Sequence, residues 1–159
     1  MKVIFLDIDG VLNSVMYDAE RTVESAYNRI DMSRVALLAK IVKNTDAKLV
    51  LSSTWRDEWE IDPADCGDDG LYVNSCLREY GLSLIDKTPT LDYSDDRKDE
   101  ILAWLRDKGQ SVTSFVIIDD INCGWGELTD RVVVTNPYGR GLEDSHVERA
   151  IYILNNRSR

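Results

Sequence analysis

Phe5-Leu6-Asp7-Ile8-Asp9-Gly10-Val11-Leu12-Asn13 (FLDIDGVLN, residues 5–13) is where an apolar run meets a pair of acids. Upstream of it, Lys2 to Leu6 (KVIFL) is apolar and partly β-branched, the composition of a strand buried on both faces, and it stops abruptly at Asp7. Asp7 and Asp9 stand two apart, so they leave a strand on the same side and can point into one small space. Like charges that close repel unless a cation neutralises them or one takes up a proton. Either outcome is chemically useful, because an ionised Asp7 can attack and a protonated Asp9 can donate. Gly10 permits a turn that brings the backbone close to a bound group.

Working outward, the same design recurs. Lys48 to Leu51 (KLVL) ends in Ser52-Ser53-Thr54, Phe115 to Ile118 (FVII) ends in Asp119-Asp120, and Arg131 to Val134 (RVVV) ends in Thr135-Asn136-Pro137. Helical patterns lie between these runs. Val35, Leu38, Ala39 and Val42 follow i, i+3, i+4, i+7 spacing, which predicts a helix over Met32 to Lys43 with a cap at Asp31 or Ser33. Ile101, Leu102 and Leu105 predict one over Arg97 to Lys108, capped by Asp96 and stopped by Gly109. Val147, Ala150, Ile151 and Leu154 predict a closing helix over Glu143 to Asn155, and Leu71 to Gly81 reads as a helix with Leu77 and Tyr80 inward. Strands alternating with helices imply an α/β fold: a three-layer, Rossmann-like parallel sheet with helices on both faces. In such sheets ligands bind beyond the carboxyl ends of the strands, where all four polar tails would converge.

Two segments fall outside this alternation. Ser14 to Asn28 is polar, either a surface excursion or a loop or short helix over the site. Trp55 to Gly70 is rich in acids without the spacing of a calcium loop, which makes it a solvated excursion. No repeat, linker or low-complexity tract divides the chain, so residues 1–159 read as a single domain.

Composition excludes several classes of function. The 19 Lys and Arg against 29 Asp and Glu give a net charge of −10, which disfavours an extended nucleic-acid footprint while leaving room for one phosphate end held by a few cations. No apolar run is long enough to cross a bilayer, and the N-terminal segment meets acids too early for a signal peptide, so a cytoplasmic protein is expected. Cys66, Cys76 and Cys123 contain no CxxC pair and read as reduced thiols. His146 is the single histidine, so a catalytic metal must rest on carboxylates, which favour a hard cation such as Mg2+.

DIDGVLN resembles the first motif, DxDG(T/V), of the haloacid dehalogenase-like (HAD) superfamily. LVLSSTWR resembles the second motif, DRKDEILAWL the third and FVIIDD the fourth, in the family's order and over essentially the whole chain. The likeness is strongest to the small branch associated with RNA-repair proteins, which shows a similar SSTWR, a similar R-x-x-E-I-x-x-W-L and a similar Gly-Leu before the last helix, here Gly141-Leu142. The spacing between motifs leaves room for minimal or no cap, which implies an open site.

The resemblance implies a phosphohydrolase. Asp7 would attack phosphorus and form an aspartyl-phosphate, while Asp9 would protonate the leaving oxygen and then deprotonate the hydrolytic water. Asp9 sets this chain apart from the family's dehalogenases and P-type ATPases, which lack an acid there. Mg2+ would be held by the Asp7 carboxylate, the Asp9 backbone carbonyl and either Asp119 or Asp120. Ser52, with Ser53 as second choice, would bind phosphoryl oxygens. Arg97 is the preferred cation over Lys98, replacing the superfamily's commoner lysine with a bidentate fork. Arg56 would contact phosphate or pair with the acids after it; Trp55, Trp59 and Trp125 are either core or a stacking surface for a base or sugar. The expected substrate is a phosphate monoester: a nucleotide, another small ester, or the terminal phosphate of a polynucleotide. The competing reading is a catalytically idle HAD-like protein that binds phosphate or regulates without turnover; the complete set of catalytic parts argues against it.

Overall fold

The computed structural model describes residues 1–21, 29–92, 94 and 96–158. Five strands, β1 (Lys2–Leu6), β2 (Lys48–Leu51), β3 (Leu84–Lys87), β4 (Ser114–Asp119) and β5 (Val132–Val134), form one parallel sheet in the order β3-β2-β1-β4-β5. The chain adds β2 and β3 on one side of β1, then crosses to place β4 on the other. The direction of winding therefore reverses between β1 and β4, the place where open α/β sheets leave a crevice.

Both faces of the sheet are covered. Ile4 and Leu6 of β1 join a core with α2 (Met32–Thr45), α3 (Asp68–Arg78) and α5 (Asp144–Asn156). Val3 and Phe5 face the other way, against Ile101, Trp104 and Leu105 of α4 (Arg97–Asp107). Alternate residues of β1 thus feed two cores, which is why the strand reads as a continuous apolar run. Phe5 meets Trp104 and Phe115 edge-on at centroid separations of 5.3 and 5.9 Å. No helix among the described residues is long and apolar enough to cross a membrane.

The expected helices form with small shifts of their ends. Asp31 caps α2 by accepting from the Ser33 N–H, and Asp96 caps α4 by accepting from the Lys98 N–H, both at 2.9 Å. Glu143 caps α5, donating its N–H to His146 Nδ1 at 3.0 Å, so the single histidine closes a capping box. α3 starts three residues earlier than predicted, because Asp68 and Asp69 suit a helix N-terminus rather than a solvated loop. It also ends at Arg78, which leaves Tyr80 44% exposed instead of inward, while Leu77 is buried as expected. Ser14 caps a short helix, α1 (Val15–Glu20); residues 22–28 of the predicted polar excursion lie outside the described residues. β3 is an addition the sequence pattern did not announce.

Candidate active site

The sheet register puts the polar tails on one line. Leu6 pairs with Leu51 on one side and Ile118 on the other, so Asp7, Ser52 and Asp119 follow at the same level. Backbone bonds extend the ladder by one rung: the Asp7 N–H donates to Ile118 O at 3.0 Å and the Ser52 N–H to Leu6 O at 2.8 Å. Three apolar strands stop together, and their first polar residues share one rim.

Arg97, the first residue of α4, reaches over that rim. Its Nη1 lies 2.7 Å from Asp7 Oδ2 and 2.9 Å from Asp119 Oδ2, and donates to the Ser52 carbonyl at 2.8 Å. Lys98, one residue on, points elsewhere: its ammonium lies 3.9 Å from Asp99 and beside Gly126. Successive helical residues diverge by roughly 100°, so only one of the two cations can face the sheet end. Asp7 Oδ1 accepts from the Ile8 N–H at 2.8 Å, and Asp119 Oδ1 from the Ile121 N–H at 2.9 Å.

Asp7, Asp119 and Asp120 each offer a carboxylate oxygen within 4.8 Å of the others. Among the described residues one guanidinium faces these three acids, and their burial shows in their acidities. Burial pushes the Asp7 carboxyl up to about 7; Arg97 opposes the rise and Asp119 adds to it. Burial likewise raises Asp119 and Asp120 against the pull of Arg97, with the nearby Asp9 charge adding to the rise at Asp120. A site of hard oxygen donors with excess negative charge suits a small divalent cation such as Mg2+, and these three side chains are the ones that would hold it.

Asp9 is held apart from this trio. Its Oδ1 accepts from Asn13 Nδ2 at 2.8 Å and its Oδ2 from Trp55 Nε1 at 3.0 Å. Asn13 also accepts the Gly10 N–H at 2.9 Å, so a single amide ties the turn to the acid. Gly10 has φ +72°, and a Cβ there would lie 2.5 Å from Asp120 Oδ2; both the backbone conformation and the space require glycine. The same turn is fastened from the far end of the chain: Thr135 Oγ1 donates to Gly10 O at 2.8 Å and the Leu142 N–H to Val11 O at 2.9 Å.

The Ser52 and Ser53 hydroxyls are buried, and that of Ser52 has no hydrogen-bond partner. Of the two, the Ser53 hydroxyl leans toward Asp7 and favours its charged form. Unpaired buried hydroxyls cost about 1–3 kcal/mol each, a cost that a ligand's oxygens would relieve.

Other sequence expectations resolve differently. Arg56 pairs neither with the acids after it nor with the rim. It is buried, and its guanidinium grips Glu100 of α4 at 2.7 and 2.5 Å. Trp59 and Trp125 are core residues whose indole N–H groups donate to Asn74 Oδ1 and Ile121 O, both at 2.9 Å. Trp55 is the exception, since its indole orients Asp9. A cleft of about 250 Å³ borders Arg97, lined by Ile121 and Trp125 among others. A cleft of about 310 Å³ beside β3 contains Lys87 and Lys108, but Lys87 is bound to Glu60 and Lys108 to Asp86.

Residues 3–147 match the family model described as the HAD domain in Swiss Army Knife RNA repair proteins. No curated protein and no solved structure matches the chain.

Proposed function

Because the chain belongs to the family of HAD domains in Swiss Army Knife RNA repair proteins, we propose that it is a Mg2+-dependent phosphohydrolase acting on a phosphate monoester through an aspartyl-phosphate at Asp7. The observation that carries the reading is the rim itself: a buried acid at the end of β1, a guanidinium over it, and the buried hydroxyls of Ser52 and Ser53 beside it, that of Ser52 without a partner.

Phosphoryl transfer asks for positioning and charge neutralisation more than for covalent novelty. Arg97 and the Ser52 and Ser53 hydroxyls would take the non-bridging oxygens of the incoming phosphate. As the phosphate arrives, the guanidinium can turn from the Asp7 and Asp119 carboxylates toward it and release the nucleophile. Asp7 then forms a bond to phosphorus while the ester P–O bond breaks, and the leaving oxygen takes its proton from Asp9. In the second half, water attacks phosphorus, Asp9 takes the proton, and the Asp7–phosphorus bond breaks to return the enzyme with inorganic phosphate. Mg2+ held by Asp7, Asp119 and Asp120 would supply the positive charge that one guanidinium cannot. The Asn13 and Trp55 donors hold Asp9 in place through both halves.

The RNA-repair association and the absence of a second sheet among the described residues favour the terminal phosphate of a polynucleotide, with nucleotides as the nearest competitor. The test is a panel of oligonucleotides bearing 3′- or 5′-phosphates beside mononucleotides and sugar phosphates, assayed with Mg2+ and with chelator. Release of phosphate from oligonucleotide ends in Mg2+ alone is expected. No release from any member of the panel, or equal release with chelator, would rule the reading out.

A further inference from the structure

Two stretches of the motifs are only partly used by the chemistry above: the end of SSTWR, and the turn of helix that follows Arg97. In the fold they meet. Arg56 Nη1 and Nη2 donate to the two carboxylate oxygens of Glu100 at 2.7 and 2.5 Å, with Arg56 9% exposed and Glu100 4% exposed. Each half of the pair is anchored beside a phosphate-facing group. The Arg56 N–H donates to Ser53 O at 3.0 Å in the short 3-10 turn that leaves β2, and Glu100 lies one helical turn beyond Arg97 on α4. Arg97 donates across the same junction to Ser52 O.

Such a pair is a poor device for stability alone. Taking two charges out of water generally gains nothing over an apolar pair of similar volume, and here Arg56 Nε is also left buried without a partner. What a bidentate guanidinium–carboxylate contact supplies is geometry, because two parallel hydrogen bonds fix both the separation and the orientation of the elements that carry them.

We infer that Arg56 and Glu100 are positioning residues, holding the first turn of α4 against the end of β2 so that the Arg97 guanidinium stays above Asp7 and beside the Ser52 and Ser53 hydroxyls. The inference rests on the phosphoryl-transfer reading of that rim. It assigns a division of labour among the arginine–carboxylate contacts described at this junction: Arg97 to Asp7 and Asp119 faces the ligand, and Arg56 to Glu100 faces the scaffold.

The test replaces the pair by apolar residues of similar size, R56M/E100M, and measures three things on the full chain in Mg2+: the melting temperature, the affinity for inorganic phosphate by calorimetry, and kcat and KM on p-nitrophenyl phosphate. A folded double variant melting within about 5 °C of the parent is expected. Phosphate affinity should weaken and KM rise together by about tenfold, the cost of a misplaced binding group. Parental phosphate affinity and KM in the folded double variant would overturn the inference, since packing alone would then suffice. Should the double variant fail to fold, E100Q decides: about threefold weaker phosphate binding supports the positioning role, and unchanged binding overturns it. A parent chain that binds phosphate without turnover would remove the catalytic reading while leaving this inference to the affinity data. A parent that does neither would remove both.

Discussion

Two groups of buried charge lie side by side in this molecule and are built on opposite principles. Arg56 meets Glu100 charge for charge, with both carboxylate oxygens accepting from one guanidinium. At the rim, Arg97 is the one cation among the described residues set against Asp7, Asp119 and Asp120, and burial raises all three carboxyls above their ordinary range. A matched pair can rest in the folded state. The mismatched group is completed only by something positive or by protons, and that incompleteness separates a site from a brace.

The strongest way to break the contrast is Asp7→Asn. Loss of the proposed nucleophile should lower kcat on p-nitrophenyl phosphate by about 10³-fold or more. The metal-free melting temperature at pH 7 should stay equal or rise, because an under-neutralised buried acid is removed. Retained turnover would take the attacking role from Asp7.

A second test reads the mismatch through pH. Asp7 titrates near 3.8 in an unfolded chain and is pushed up to about 7 in the fold, with Asp119 and Asp120 raised in the same sense. Between those values the folded state holds more protons than the unfolded one, so metal-free stability should fall as pH climbs from about 4 to about 7. The expected drop in melting temperature is about 5 °C or more, and added Mg2+ should restore more of it at pH 7 than at pH 5. A flat metal-free profile would mean that the rim is already neutralised from within.

Smaller effects sharpen the picture. Trp55→Phe keeps a ring but removes the donor to Asp9 Oδ2. It should cost about tenfold in kcat on an alkyl phosphate, whose leaving oxygen needs a proton, and less on p-nitrophenyl phosphate, whose leaving group does not. Equal losses on both substrates would make Trp55 a packing residue. Lys98→Ala should change kcat/KM by less than about twofold, because the Lys98 ammonium lies near Asp99 rather than Asp7.

The parts of this fold that could be read from sequence are those in which a buried run ends on a polar residue. β1, β2, β4 and β5 all carry that mark, and Asp7, Ser52, Asp119 and Asp120 followed from it. β3 escaped because it is a four-residue edge strand with alternating burial, and its Asp86 is satisfied by Trp104 and Lys108 from another element. The sequence named Arg56 and the Glu100 segment separately but not their union, since a contact between residues 44 positions apart leaves no periodicity. The Trp55 donor to Asp9, 46 positions away, was hidden for the same reason, whereas Asn13 lies only four residues on and was hidden because the turn that folds it back onto Asp9 has no periodicity. The preference for Arg97 over Lys98 came from its spacing to Glu100 and Ile101 on the inward face of the helix, and the same helical phase carries Arg97 to Asp7 and turns Lys98 toward Asp99.

The fastening of the Gly10 turn by Thr135 and Leu142 bears on how the protein matures. Synthesis runs from the N-terminus, so a nascent chain that has emerged only as far as Arg131 already carries every proposed catalytic side chain. The clasp that sets the turn between Asp7 and Asn13 is still missing at that point. The turn beside Asp7 is therefore set only once residues 135 to 142 have been made: side chains that emerge early are locked late.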